Sequence, residues 1–332
     1  MQVTPEIPEQ AAPDVSVVLP TGGRVDLLDR CLDALLRQTF DARRFEVIVV
    51  DDYPRHNTRQ LVAVWRASAG QRGPSLRYLP NDGSHGPAAV RNLGWRNARA
   101  AVVAFTEDDG IPAPGWLKNG VDALGSSIDA VSGRVEITPT RARNDYQHAR
   151  RHDQSEFASA SCFCRKPILE KIGGFDERFH SGWRDDFHFR LLTAHARIAR
   201  AEHALVIRPR RAPPWGASLW QLKSLVFDAL LYKTHPKLYR QKIRATPAWD
   251  DQAVAAALAI CLMGAATANA AVGLCGAVAW GVPTARLCQK RLRGTARSPS
   301  HVAEVVVTSA LLPPLAVFWR LAGAIRFRVR FA

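Results

Sequence analysis

The sequence predicts an α/β fold, with a mostly parallel sheet between helices and a hydrophobic helical region at the C-terminal end. Two observations carry the first part. Short β-branched runs alternate with amphipathic stretches from Val15 onward, and several of those runs are near-continuous in apolar residues, as strands buried on both faces are. The second part rests on the stretch between Asp251 and Arg286, which holds no formal charge and is dominated by Ala, Val, Leu and Gly.

Val15–Leu19 (VSVVL) is the first strand, closed by the turn residues Pro20-Thr21-Gly22-Gly23. Leu27, Leu28, Cys31, Leu32, Leu35 and Leu36 then recur at helical spacing. Phe45–Val50 (FEVIVV) is a second buried strand ending at Asp51-Asp52, and Leu61, Val62, Val64 and Trp65 mark another helix. A weaker strand at Leu76–Leu79 and a helix near Pro87–Arg99 precede the strand Ala101–Phe105, which runs into Thr106-Glu107-Asp108-Asp109. This β-α order implies parallel strands covered by helices on both sides. Ligands of such sheets bind beyond the carboxyl ends of the strands, and two of those ends are acidic. Residues 128–210 mix possible strands (Ala130–Ile137, Ala158–Phe163, Ala204–Ile207) with a helix over Arg184–Ala196.

The 332 residues, 47% hydrophobic and 23% charged, exclude a disordered chain. The net charge of +15 favours anionic partners: nucleic acid, acidic lipid or phosphorylated substrates. Arg286, Lys290, Arg291, Arg293 and Arg297 follow the charge-free stretch, and Arg320, Arg326, Arg328 and Arg330 follow a second apolar stretch, Val302–Trp319. Basic residues placed beside apolar segments point to lipid, and no basic helix interleaved with aromatics points to nucleic acid. The six cysteines include no CxxC pair, which disfavours a structural zinc site and reads as reduced, cytoplasmic thiols. The first 14 residues lack the basic and apolar regions of a secretory signal and read as a flexible lead.

Three groups of residues carry the chemistry. Three adjacent carboxylates, Glu107-Asp108-Asp109, repel one another unless a cation neutralises them. A hard divalent ion bridged to phosphates does this, and so, on the bland reading, does solvent around an acidic turn or helix cap. Asp185-Asp186 opens a predicted helix, where it serves either as a favourable charge at the positive helix end or as a general base. Asp51-Asp52 and Asn81–Arg91 form the third group, with Gly83 and Gly86 allowing tight turns and Arg91 a candidate phosphate partner. No GxGxxG follows the first strand and no P-loop motif occurs, which disfavours dinucleotide and P-loop binding. His235, in LLYKTHPKLYR, reads more readily as a structural residue than as a ligand.

The ordered set resembles the family 2 glycosyltransferases, inverting enzymes of the GT-A type fold, in their bacterial membrane-associated form. The resemblance rests on VSVVLPTGGR (Val15–Arg24), CLDALLRQTF (Cys31–Phe40), VIVVDD (Val47–Asp52), GPAAVRNLGWRNA (Gly86–Ala98), AFTEDDGIPAPGWL (Ala104–Leu117), GGFDERF (Gly173–Phe179) and WRDDFHFRL (Trp183–Leu191). It implies that Pro20, Thr21, Arg24 and Asp52 line the nucleotide pocket and that Arg91 lies near the donor. It further implies that Asp109 holds a Mg²⁺ or Mn²⁺ ion, with Glu107 and Asp108 assisting through the ion or the ribose. Asp186 is then the base, with Asp185 beside it. The implied partners are a nucleotide-sugar donor, a glycan or lipid-linked acceptor and the membrane surface, with no nucleic acid. Three departures stand out: Glu107 replaces a commoner Asp, Asp185-Asp186 replaces a commoner Glu-Asp and is followed by Phe187-His188, and Arg208-Pro209-Arg210-Arg211 stands where many relatives place a histidine. Arginine cannot ligate a metal but pairs with phosphate, which predicts a weakly held ion with arginine sharing the diphosphate charge.

The resemblance divides the chain into a lead (1–14), a nucleotide-sugar-binding half (15–125), an acceptor-side half (126–212), a helical linker (213–252) and a membrane-associated region (253–332). Nucleotide sugars are cytoplasmic, so the catalytic half is expected on the cytoplasmic face of the cell membrane. A hairpin or interfacial insertion of Val254–Val282 keeps the basic residues after it on that side, and Val302–Ala332 reads as lying along the surface. The implied role is synthesis of a cell-envelope polysaccharide or glycolipid. A helical subdomain packed on the core, a metal-dependent nucleotidyltransferase and a non-catalytic glycosyltransferase-like binding protein are the alternatives left open by the residues.

Overall fold

The computed structural model describes residues 12–138, 157–209, 214–244, 249–293, 295 and 298–330; most of the expected lead, together with Arg210, Arg211 and Arg297, falls outside them. The chain divides into two compact units. One comprises residues 1–137, 155–177 and 190–209, and the other residues 138–154, 178–189 and 210–332.

The first unit is built on one eight-stranded sheet, in the order β3-β2-β1-β4-β7-β6-β8-β5. Strands β1 (Val15–Thr21), β2 (Phe45–Asp51), β3 (Ser75–Pro80) and β4 (Val102–Phe105) are parallel. Every residue of β1 and β2 is buried, which is why both read as near-continuous apolar runs, interrupted inside only by Ser16 and Glu46. Helices α1 (Val25–Leu36), α2 (His56–Ala69) and α3 (Pro87–Arg96) connect them, and α4 (Trp116–Leu124) follows β4. Helix α3 lies so close to the sheet that a Cβ on Gly94 would come 2.3 Å from a methyl of Val18.

Beyond β4 the sheet becomes antiparallel. β7 (Cys162–Arg165) pairs with β4 and with β6 (Ala130–Thr138), and β8 (Ile198–Pro209) pairs with β5 (Ile111–Pro112). Strand β8 is longer than its apolar signature because Arg200 and Glu202 alternate with the buried Ala201 and Ala204. Helix α5 (Lys166–Ile172) follows β7.

At the amino edge of the sheet Glu46 is fully buried. It accepts from Ser16 Oγ (2.7 Å), the Arg99 backbone N–H (2.9 Å), Arg99 Nε (2.8 Å) and Arg77 Nη1 (3.1 Å). Burial alone opposes ionisation, but these donors outweigh it and hold the carboxyl below its ordinary range. A depressed carboxylate stabilises the fold above its unfolded pKa and loses that contribution as pH falls through the folded value. Glu46→Gln should therefore cost about 3 kcal/mol at neutral pH, as removing one partner of a buried ionic network does. The deficit relative to the parent protein should shrink in urea titrations run below about pH 4, the ordinary carboxylate range.

In the second unit the first residues of α6 (Trp183–Thr193) join α7 (Ala217–Gln221), a 3₁₀ turn (Leu222–Leu225), α8 (Val226–Thr234), α9 (Pro236–Lys242), α10 (Trp249–Ala266), α11 (Ala270–Leu292) and α12 (Pro299–Phe327). The charge-free stretch folds as the hairpin α10–α11. Asn269 caps α11, its side chain accepting from the Val272 N–H at 3.2 Å. The two helices touch backbone to backbone: a Cβ on Gly276 would stand 2.3 Å from the Cys261 nitrogen. α11 and α12 are each long and apolar enough to cross a membrane, with mean hydropathies of 1.3 and 1.8. Helix α12 runs through Pro313 and Pro314 and buries Glu304, which accepts from the Gly216 N–H at 2.8 Å. Arg291, buried on α11, donates to Thr308 (2.7 Å) and Ser309 (3.0 Å) of α12. The middle of the helical region is thus tied together by buried polar contacts.

Candidate active site

Strand order reverses at β1: β2 and β3 lie on one side and β4 on the other. The crevice outside the carboxyl ends of strands at such a switch point is where ligands of open α/β sheets bind. The register Val18↔Phe105 lets Leu19, Pro20 and Thr21 run past the end of β4, and Thr21 pairs with Asp51 at the end of β2. Pro20 and Thr21 are buried there, and the Asp52 N–H donates to the Thr21 carbonyl at 2.9 Å.

The acidic cluster sits at this edge. Glu107 to Gly110 form a tight turn, closed by the Gly110 N–H on the Glu107 carbonyl at 2.9 Å. Asp108 is 1% exposed and accepts from Thr21 Oγ1 at 2.9 Å and from the Arg24 guanidinium. Glu107 meets Arg91 at 3.1 Å and also Arg208; Asp109 meets Arg208 at 3.0 Å and Arg24 at 3.7 Å. Three carboxylates are therefore balanced by three guanidiniums. The β5–β8 register explains Arg208: Ile111 faces Ile207, so the next residue of β8 reaches the acidic turn. Close approach is possible because position 110 is glycine, where a Cβ would come 2.7 Å from a Val206 methyl.

Charge follows this geometry. Burial raises the Asp108 carboxyl above its ordinary value, with Arg24 and Thr21 pulling the other way. Burial pushes the Arg208 guanidinium down, but Glu107 and Asp109 reverse this and raise it. Cys31 lies under the turn, its thiol 3.6 Å from the Glu107 carbonyl, and burial holds it far above the usual thiol range. All six cysteines are free thiols.

The remaining expected residues are placed as follows. Arg91 is buried against Glu107 and the Pro87 carbonyl (2.6 Å), where it braces the acidic turn. The Asp52 carboxylate accepts from the Gly86 N–H (3.1 Å) and Asn81 Nδ2 (3.0 Å), which ties the end of β2 to the start of α3. The segment GGFDERF docks on α3: the Asn92 amide accepts from the Phe175 N–H (2.9 Å) and donates to the Phe175 carbonyl (2.8 Å) and Glu177 (2.9 Å).

Sequence reading missed Tyr53 and His85. Their rings stack beside Asp52 at 4.5 Å and 11°, and Tyr53 is half exposed. No periodicity marks them, because each lies in a turn.

In the second unit, Asp185 and Asp186 fall in the first turn of α6. Asp186 is 1% exposed, and its Oδ1 lies 2.9 Å from Nε2 of His235. Its other oxygen, Oδ2, has no hydrogen-bond partner among the described residues. The His235 ring packs edge-on against Phe189 at 5.6 Å. The two residues lie 49 positions apart, so no local pattern connects them.

The family profile described as glycosyl transferase family 2 matches residues 16–194, more than half of the chain. The chain belongs to glycosyl transferase family 2. It is an enzyme of the transferase class with a GT-A type fold. It is 28% identical over 181 residues to the glycosyltransferase AglE of Haloferax volcanii, a match over 51% of this chain and 58% of the relative. It is 29% identical over 218 residues to the pre-mycofactocin glycosyltransferase of Mycobacterium tuberculosis, over 60% of this chain and 43% of the relative. The chain thus spans about half the length of the curated relatives it matches. In fold it is similar to the mannosyltransferase PcManGT from Pyrobaculum calidifontis, solved in complex with GDP-Man and Mn2+ (TM-score 0.56, 20% identity, 95% of this chain and 86% of that one).

Among the described residues no group of three or more His, Cys, Asp or Glu side chains is arranged to hold a metal ion. Glu107 and Asp109 offer hard carboxylate oxygens of the right kind, both engaged by Arg208. That donor set fits an ion that arrives with a diphosphate, whose oxygens complete the shell, as is usual for Mg²⁺.

A carboxyl whose folded pKa is raised destabilises the fold when ionised, because its stabilising contribution is lost as pH rises through that value. Asp108→Asn, which keeps an acceptor for Thr21, should therefore melt no lower than the parent protein at pH 7. Any advantage should vanish near pH 3, where the parent carboxyl is also neutral. Calorimetric scans at the two pH values check this.

Proposed function

We propose that this glycosyltransferase moves a sugar from a nucleoside-diphosphate donor to a hydroxyl acceptor in one in-line displacement with inversion, assisted by a divalent cation, at the cytoplasmic face of a membrane. The observation that carries the donor side is the charge-balanced turn Glu107-Asp108-Asp109 at the switch point, ringed by Arg24, Arg91 and Arg208. A diphosphate entering there meets guanidiniums already fixed in place.

Thr21 and Arg24 hold Asp108, leaving Asp109 as the more exposed carboxylate of the pair. A divalent cation held by Asp109 and Glu107 with the diphosphate would supply Lewis-acid stabilisation of the leaving group. Arg208, drawn toward the diphosphate, shares that charge through bidentate N–H donation. Asp52, with Tyr53 and His85 stacked beside it, offers a carboxylate and a flat ring face to the nucleoside. On the acceptor side, Asp186 Oδ2 takes the hydroxyl proton as the acceptor oxygen attacks the anomeric carbon. The bond from that carbon to the diphosphate oxygen breaks with its electron pair. His235 orients the base from Oδ1. The buried, unpartnered oxygen of Asp186 supports this role, since a base must keep a lone pair for its substrate.

The two apolar helices α11 and α12 support a membrane location, and with it an acceptor in cell-envelope polysaccharide or glycolipid synthesis. GDP-Man, the ligand named for the Pyrobaculum enzyme, is the first donor to try.

Transfer assays on purified full-length protein test the reading. Asp186→Asn should lower turnover by about 10²–10⁴-fold, the range for a lost general base, with nucleotide-diphosphate binding retained. Asp109→Asn should abolish metal-stimulated transfer, and a chelator should slow the parent enzyme reversibly. Transfer that persists in Asp186→Asn would overturn the assignment of the base.

His235→Gln should lower kcat by about tenfold to a hundredfold, the cost of misplacing a catalytic group, without raising donor KM. An unchanged kcat would leave His235 with a packing role only.

A further inference from the structure

We propose that the second unit carries a binding site for the phosphate of a lipid-linked molecule, in a cavity formed by α8, the segment before α6 and the C-terminal end of α12. The proposal rests on the transferase reading above and names the chemical class of its acceptor: a phosphate monoester or diphosphate on an apolar chain.

The cavity measures about 390 Å³ and is lined by Arg178, His180, Leu230, Lys233, Phe327 and two further arginines, Arg326 and Arg328. It lies at the lower end of the range for small-molecule sites, roughly 300–1,000 Å³, and is larger than a bare phosphate needs. Among the described residues, four permanent cations line it and no carboxylate does. Among the described residues, Lys233, Arg326 and Arg328 form no ion pair with a carboxylate, in contrast to the arginines of the acidic turn. Like charges gathered this closely repel one another, and a phosphate with several acceptor oxygens is the group that answers them.

The frame is built. Lys233 Nζ donates to the Phe327 carbonyl at 2.8 Å, which pins the end of α12 to α8 and leaves two N–H donors. The Arg326 guanidinium lies over the rings of Phe227 (5.8 Å) and Phe327 (5.3 Å), which fixes its plane while its N–H edge stays available. Arg328 adopts a left-handed backbone (φ 51°), a conformation seldom taken by a residue with a side chain. That turn ends α12 and delivers Arg328 to the cavity.

The apolar part of the ligand is argued from α12. Leu321 and Ile325 are 56% and 78% exposed on the turns that lead to the cavity, and Phe318 is 57% exposed one turn earlier. A basic cluster at the end of an apolar helix is the arrangement that attracts anionic headgroups at a membrane surface. Leu230 and Phe327 continue the apolar surface into the cavity wall. The same elements carry the proposed base: His180 lies six residues before Asp186, and Lys233 lies two residues before His235. A headgroup held here is held by α8 and the approach to α6, the parts that fix Asp186.

The test uses the full chain in neutral detergent, with farnesyl phosphate as probe and farnesol, inorganic phosphate and phosphatidylglycerol as comparators. Farnesyl phosphate should raise the melting temperature in a saturable way, and the comparators at equal concentration should not. Arg326→Gln/Arg328→Gln, and separately Arg328→Gln, should weaken the probe at least tenfold while GDP or UDP binding stays unchanged, which shows that the variants are folded. Equal binding of farnesol, or unaltered binding by the variants, would overturn the site. Inorganic phosphate binding as tightly would reassign the cavity to free phosphate, and phosphatidylglycerol would reassign it to bulk anionic lipid; either overturns the acceptor class. Loss of nucleotide-diphosphate binding by the parent protein would instead count against the transferase reading, so the two failures are distinct.

Discussion

The site depends on one electrostatic constraint: three adjacent carboxylates must share a tight turn at the end of β4. Left alone they would repel one another and loosen the turn. Arg24 from the start of α1, Arg91 from α3 and Arg208 from β8 each answer one or two of them. Each arginine comes from a different element, so neutralising the turn also fixes where α1, α3 and β8 stand against the parallel strands. Charge balance and site geometry are the same interaction seen from two sides.

This constraint also divides labour among the acids. Asp108 is buried and spent on Thr21 and Arg24, Glu107 is shared by two arginines, and Asp109 keeps the most solvent of the three. A polyanion entering the crevice would compete for the same guanidiniums. Arginine suits that exchange better than lysine, because its planar fork can release one oxygen pair and take another without moving its backbone. The carboxylates so uncovered are the ones with oxygens to offer a cation.

Much of the fold was legible in the sequence because parallel strands buried on both faces are mostly apolar. β1, β2 and β4 stand out as near-continuous runs, and the acidic ends of β2 and β4 mark the proposed donor-binding edge without any knowledge of contacts. β8 was half hidden, since Arg200 and Glu202 alternate on its exposed face. Asp186 was marked by its acidic pair at a helix start, but its pairing with His235 was not legible, because the two lie 49 positions apart and no local pattern links them. Tyr53 and His85 escaped because turns carry no period. Arg208 was noticed as a departure from the expected histidine, but only the register of β5 against β8 shows why it reaches Glu107 and Asp109. Hydropathy located the helical region correctly, while the hairpin turn at Asn269 depends on a cap and on glycines in close contact.

The +15 charge can now be divided by partner. Arginines in the first unit are largely matched: Arg77 and Arg99 by Glu46, Arg24, Arg91 and Arg208 by the acidic turn. In the second unit Arg320 is matched by Asp251 and Arg291 by neutral hydroxyls, whereas Arg326, Arg328 and Lys233 have no carboxylate among the described residues. Fields from matched pairs cancel within a few ångströms, while unmatched charge beside an apolar helix extends over about a Debye length, roughly 8–10 Å at physiological salt. On the proposed function, the unmatched charge would act where anionic lipid is met, and the matched charge would meet an anion able to displace its partners. One composition would then serve two different recognition problems, separated by whether a carboxylate stands opposite.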